Sequence, residues 1–135
     1  MRILSIALLA LSVAAAPAYA EQDLLLGANM NTPAMTQAEM SRADIEALIT
    51  KSHGQPIDLT DKALSGLDLS GLNLKGANLR TARLNKTNLR GADLSGANLE
   101  QAWLLKSDLS GAKLVGAKMF GVTARDANFR SYAGF

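Results

Sequence analysis

A chain of 135 residues with a formal net charge of +2 and no cysteine has room for one small domain, which disulfides cannot staple. So small an excess of charge gives no basis for nucleic acid or an acidic substrate as partner. Stability must come from packing.

The first twenty residues, MRILSIALLALSVAAAPAYA, stand apart. Arg2 supplies a positive start, residues 3–16 are apolar, and Ala18, Tyr19 and Ala20 form a small-x-small site. This pattern predicts a secretory signal peptide at 1–20, cut after Ala20. An uncleaved anchor is the competing reading, but the apolar run is short for a span and no stop-transfer flank follows. No cysteine follows the cut, which excludes a lipoprotein anchor. The mature chain carries no second long apolar run, so no membrane span is expected in it.

Residues 21–35, EQDLLLGANMNTPAM, are expected to be a flexible lead, with Leu24, Leu25 and Leu26 free to pack back or to dock on a partner. Residues 36–56 read as a cap helix and turn. Thr36 and Glu39 have capping-box spacing, so the helix is expected from about 37 to 51. Met40, Ala43, Ala47 and Leu48 would share its apolar face, with Ile45 and Ile49 flanking. Ser52, His53 and Gly54 supply a stop, and Pro56 prevents continuation. Residues 21–56 have a net charge of −3, and residues 57–131 one of +4.

From residue 57 the chain falls into blocks of five: IDLTD, KALSG, LDLSG, LNLKG, ANLRT and onward. The third position is Leu in twelve consecutive blocks, from Leu59 to Leu114. On an α-helix five residues advance about 500°, so these leucines would scatter around the axis. On one continuous strand an odd spacing sends them to alternate faces. A chain that turns a corner every five residues buries them all. Four sides make a square coil of twenty residues, and the first and third residues of each block point inward. Leu59, Leu79, Leu99 and Met119 then stack in one column, with small residues such as Ala77 and Ala97 beside them. Lys62 falls at an inward position, which suggests an irregular second block. Two corners carry only glycine (Gly71, Gly91, Gly111 and Gly76, Gly96, Gly116). The other two carry side chains, as at Thr81, Gln101, Lys86 and Lys106. This predicts positive-φ turns at two corners and a turn tolerant of side chains at the other two. The column Asp68, Asn88, Asp108 and Asn128 is placed to hydrogen-bond across corners or up the stack.

Blocks such as ADLSG, ANLEQ, ANLRT and TNLRG resemble the A-(D/N)-L-x-x signature of pentapeptide-repeat proteins. The resemblance covers residues 57–131. It implies an all-β solenoid, a right-handed quadrilateral parallel β-helix of about four coils, here with an N-terminal capping α-helix. Tyr132 and Phe135, within a C-terminal cap at 132–135, would cover the last coil. That end is otherwise a dimer contact, as in some members of the family, so the chain is expected to be a monomer or an end-to-end homodimer.

Candidate chemistry is sparse. His53 has no second histidine to share a metal, and the repeat serines have no base in register. No catalytic residue, metal site or cofactor is expected, and the chain reads as no enzyme. The outward positions hold Ser, Asn, Asp, Arg and Lys, except at Trp103, Leu105, Val115 and Phe120. Trp103 and Leu105 share one side of one coil, with Arg83 one coil earlier and Lys86 and Lys106 on the neighbouring corner. Arg83, Lys86, Trp103, Leu105 and Lys106 are therefore the candidate partner-binding patch, an aromatic centre with basic flanks.

The expected role is a non-enzymatic structural or protein-interaction module of the bacterial cell envelope, exported to the periplasm of a Gram-negative bacterium or secreted. A cell-wall glycan-binding protein, with Trp103 stacked on a sugar ring, is the alternative. Some pentapeptide-repeat proteins mimic DNA and bind DNA gyrase. The resemblance raises that role, but a signal peptide and a repeat region of +4 argue against it. No nucleic-acid partner is expected.

Overall fold

The computed structural model describes residues 32–130. The expectations for residues 1–20, for the lead up to residue 31, and for the aromatic cover at 132–135 lie outside the described residues. Two helices open the described chain: α1, Pro33–Thr36, and α2, Arg42–Lys51. Residues 57–130 then form the stacked coils. Among the described residues no helix is long and apolar enough to cross a membrane.

The five-residue period is a turn repeat. In each block the leucine carbonyl accepts the N–H three residues on, as from Lys62 to Leu59 at 3.2 Å and Ala77 to Leu74 at 3.0 Å. Parallel bridges join residues twenty apart on every side, such as Asp58 to Asn78, Arg83 to Trp103, Asn88 to Asp108 and Asn73 to Asp93. A coil therefore has twenty residues, four sides and four turns. The sides are numbered here by their first blocks, which start at residues 57, 62, 67 and 72. From Leu59 to Leu109 each third-position leucine N–H donates into the next coil, as from Leu59 to the Asn78 carbonyl at 2.7 Å. The Asn78 N–H returns to Ile57 at 2.9 Å.

The core is the stack of third-position leucines, fully buried from Leu59 to Leu114. Alanines at the first position, including Ala77, Ala82, Ala92, Ala97, Ala102 and Ala112, are equally buried, because the leucines leave no room for more. Two inward positions are polar and satisfied: the Thr87 hydroxyl donates to the Leu64 carbonyl at 3.1 Å, and that of Ser107 to Leu104 at 2.7 Å. Burial decays in the last coil, where Ala117, Met119, Ala124 and Phe129 are only partly covered.

Four details correct the sequence reading. First, α2 starts at Arg42, not 37. Its capping box is Ser41 with Asp44: the Asp44 N–H donates to Ser41 Oγ at 3.2 Å, and the Ser41 N–H to Asp44 Oδ2 at 2.8 Å. Glu39 is unavailable for a box with Thr36 because it is bound to the first coil, and the expected boundary at residue 35 falls inside α1. Second, the buried face of α2 is centred on Ile45, with Leu48 and Ile49 beside it, while Ala43 and Ala47 are exposed. Third, the second block is regular. Lys62 keeps its ladder bond with Arg83, and its side chain escapes the core edge to pair with Glu39 at 3.1 Å. Fourth, all four corners turn through positive φ. Thr81, Lys86, Gln101 and Lys106 lie between 56° and 59°, beside Gly91 at 63° and Gly96 at 67°. One coil stacks on the next only if every corner has the same shape, so stacking imposes the left-handed conformation even on residues that disfavour it.

Candidate functional site

The second residue of a block is usually Asp or Asn for a local reason. Its Oδ1 accepts the N–H two residues on, closing an Asx turn that leads into the corner. Asp58, Asp68, Asn78, Asn88, Asp93, Asn98 and Asp108 all do this, at 3.0–3.2 Å. The column on the third side also gains one bond up the stack, from Asn128 Nδ2 to Asp108 Oδ1 at 3.2 Å. Hydroxyl and N–H donors of the fourth residue hold several of these carboxyls below their ordinary range. Ser95 acts in this way on Asp93, and Ser110 on Asp108.

The second side forgoes this device in every described coil. Its second-position column is Ala63, Arg83, Trp103 and Thr123, in continuous parallel register. Its fourth-position column contains Asn85, which is 5% exposed and works vertically. Asn85 Oδ1 accepts the Leu105 N–H at 3.0 Å, and Nδ2 donates to the Met35 carbonyl at 3.3 Å. Sequence reading treated Asn85 as one more surface asparagine. The available signal was its place: it is the one amide among the fourth positions from Thr60 to Arg130.

All five candidate patch residues lie on this side or its corner. Arg83 and Trp103 are bridge partners, so their side chains leave adjacent rungs of one ladder. Trp103 and Leu105 are half-buried, and Lys86 and Lys106 are exposed. Arg83 is half-buried, and its Nε is enclosed with no hydrogen-bond partner. Among the described residues the two most exposed large apolar side chains, Val115 at 55% and Phe120 at 81%, lie on other sides and do not join the patch.

The top of the second side is already occupied. Ala38 pairs antiparallel with Leu64, the Glu39 N–H donates to Ala63 at 2.8 Å, and the Ala63 N–H donates to Glu39 Oε2 at 3.3 Å. The hydrogen bond from Lys62, then that from Ala63, hold the Glu39 carboxyl below its ordinary range, and Arg83 adds a weaker pull through its charge. The chain segment before α2 thus covers the side down to Met35 and Asn85. Trp103 and Leu105 lie one coil further on.

His53 sits just beyond α2 with φ 50°, next to the cap residue Ser52. Among the described residues, no cluster of His, Cys, Asp and Glu has the arrangement of a metal site. A cleft between the end of α2 and the fourth side is lined by Ile49, Pro56, Leu74, Gly76 and neighbours, with Lys75 its one ionisable group.

The family profile described as Pentapeptide repeats matches residues 63–101 and 92–130, with eight copies. The Cyanothece 51142 pentapeptide-repeat protein Rfr23 is 30% identical over 60% of this chain and 62% of its own, with a TM-score of 0.48. The chain thus spans less than two thirds of that protein's length. The Nostoc PCC 7120 pentapeptide-repeat protein alr5209 is 32% identical over 63% of this chain and 74% of its own, with a TM-score of 0.35. A pentapeptide-repeat protein of the Arabidopsis thaliana thylakoid lumen is 30% identical over 52% of each chain, with a TM-score of 0.30. No functionally curated protein matches the sequence.

Proposed function

The chain belongs to the pentapeptide-repeat family, and from that premise we propose that it is a protein-interaction module of the bacterial envelope that binds its partner on the second side of the coil. Proteins of this family are generally non-enzymatic protein-interaction modules. We read the coil as the family's right-handed quadrilateral β-helix.

One observation carries the choice of side. Wherever Asp or Asn holds the second position, it closes an Asx turn, and the second side has neither residue there in any described coil. A fold that gives up a local hydrogen bond at successive rungs of one column is using that column for something else. What stands there is Arg83 and Trp103, residue types that dominate binding energy at interfaces. A DNA-mimicking role needs a strongly negative surface, and the repeat region carries +4.

The test is site-specific photocrosslinking in living cells. A crosslinker at Trp103 should give a discrete adduct in the periplasm, and one at Asn98 on the first side should not. Equal adducts at both positions, or none at Trp103, would remove the proposed face. Purified exported protein should begin at Glu21 by intact mass. A mass that includes residues 1–20 would overturn export through a cleaved signal peptide.

A further inference from the structure

Residues 35–39 show what the second side accepts. This segment lays a main-chain carbonyl, an apolar side chain and, four residues on, a carboxylate across the first two coils. The Met35 carbonyl takes the Asn85 amide at 3.3 Å, and Met35 Sδ lies 3.9 Å from the same nitrogen. The Glu39 carboxylate takes Lys62 at 3.1 Å and the Ala63 N–H at 3.3 Å. The chain thus carries, in cis, a short acidic and apolar ligand for its own surface.

The next coil repeats the same chemistry without that cover. Trp103 and Leu105 form an apolar centre, and Lys86 and Lys106 stand exposed on the adjoining corner. Arg83 joins the covered and uncovered parts: its charge already acts on Glu39, and its side chain is only half-buried, so the guanidinium can pair with a further carboxylate. Asp126 follows Lys106 in the corner column, and the exposed Arg125 lies beside it on the second side. The main chain cannot be the recognition element here. The Trp103 N–H is bound to Ala82 at 2.9 Å and its carbonyl to Leu84 at 2.7 Å. A ligand on this side must therefore be held by side chains.

We propose that the side formed by Arg83, Trp103 and Leu105 binds an acidic, extended protein segment. Its carboxylates pair with Arg83, Lys86 and Lys106, and its apolar side chains lie on Trp103 and Leu105. This rests on the interaction-module reading and adds the partner's chemistry to it.

Trp103 is the chain's single tryptophan, so its emission reports the site directly. The probe is a ten-residue peptide of alternating Glu and Leu, blocked at both ends. The control is the same peptide with Lys in place of Glu. The Glu peptide should shift Trp103 emission saturably, and the Lys peptide should not. Arg83→Gln should weaken binding about tenfold, the loss of one charge-assisted contact. Arg90→Gln, on the third side, should leave it unchanged. Lys86→Gln with Lys106→Gln changes only exposed corner side chains. It should weaken binding several-fold with no change in the urea midpoint, so a folding defect in Arg83→Gln cannot decide the outcome. Equal binding of the Lys peptide, or full affinity in the double lysine variant, overturns the proposal. A Trp103 photocrosslink in cells combined with no response to the Glu peptide overturns the acidic ligand alone. Loss of the photocrosslink overturns the interaction face with it.

Discussion

Glu39 meets Ala63 twice. Its N–H donates to the Ala63 carbonyl at 2.8 Å, and its carboxylate accepts the Ala63 N–H at 3.3 Å. These are the two partners that a preceding coil would have supplied. Arg42 does the same one side on, donating from Nη1 to the Asp68 and Ser70 carbonyls at 2.9 and 3.1 Å. A bare solenoid edge is a template for pairing with another chain, and here one carboxylate and one guanidinium stand in for missing peptide groups. Glu39→Ala combined with Arg42→Met should therefore increase concentration-dependent association, read by light scattering. A variant as monodisperse as the parent, with its helix signal intact, would show that the edge needs no such protection.

The Asx turns make stability depend on acid. The Ser95 hydroxyl and N–H depress the Asp93 carboxyl below its ordinary 3.8, and Ser110 does the same for Asp108. A group with a depressed folded value contributes stability above its unfolded value and loses it as pH falls through the folded one. The urea midpoint should be flat from pH 7 to about 5 and fall below about pH 4. Asp93→Asn with Asp108→Asn keeps the Oδ1 acceptor, as Asn88 and Asn128 do, and removes the titration. Its midpoint should change less between pH 5 and 3 than the parent's.

Gln101 holds φ 59° at a corner where glycine would be unstrained. Gln101→Gly should stabilise the fold by about 0.5–1 kcal/mol, the left-handed penalty less the entropy glycine loses on folding. The converse change is Gly111→Ala, at φ 70°, where an added Cβ would come no nearer than 3.8 Å to a neighbour. The cost there is conformational and not steric, about 1 kcal/mol, and chemical denaturation measures both.

Asn85 ties the segment before α2 to the coil. Asn85→Ala leaves the Leu105 N–H without its acceptor and should cost about 1–3 kcal/mol. It should also speed limited proteolysis between residues 33 and 40. Asn85→Asp keeps the acceptor for Leu105 and loses the donor to Met35. If stability depends on the Leu105 bond and protection on the Met35 bond, the aspartate variant recovers the first and not the second.

Periodicity made the coil legible because the inward leucines obey one rule whatever their neighbours do. The Leu59 to Leu114 register, the twenty-residue coil and the outward placement of Trp103 all follow from counting. The cap was misread because two local signals competed. Thr36 with Glu39 and Ser41 with Asp44 both have capping-box spacing, and the choice falls to a tertiary contact, Glu39 on Ala63. The corners at Thr81 and Lys86 were misread for the opposite reason. Residue preference argued against positive φ there, and the stacking of identical coils overrode it. Asn85 was marked in the sequence only as an amide at a fourth position, and its role stayed hidden because its partners, Met35 and Leu105, lie fifty and twenty residues away. The patch was legible as an anomaly, but its shared side with the segment at 35–39 was not.

The twenty-residue register also makes chain length a matter of phase. Removing one residue between Leu89 and Leu94 would turn every later leucine outward, and the core could not survive. Removing one block of five would keep the core and rotate everything downstream by a quarter turn. Trp103 would then leave the column of Arg83 and stand below Asp58 and Asn78, on the first side. Removing twenty would restore the original alignment with one coil fewer. Insertions and deletions in this chain are thus sorted into three kinds, those that destroy the fold, those that reassign its surfaces, and those that only change its height.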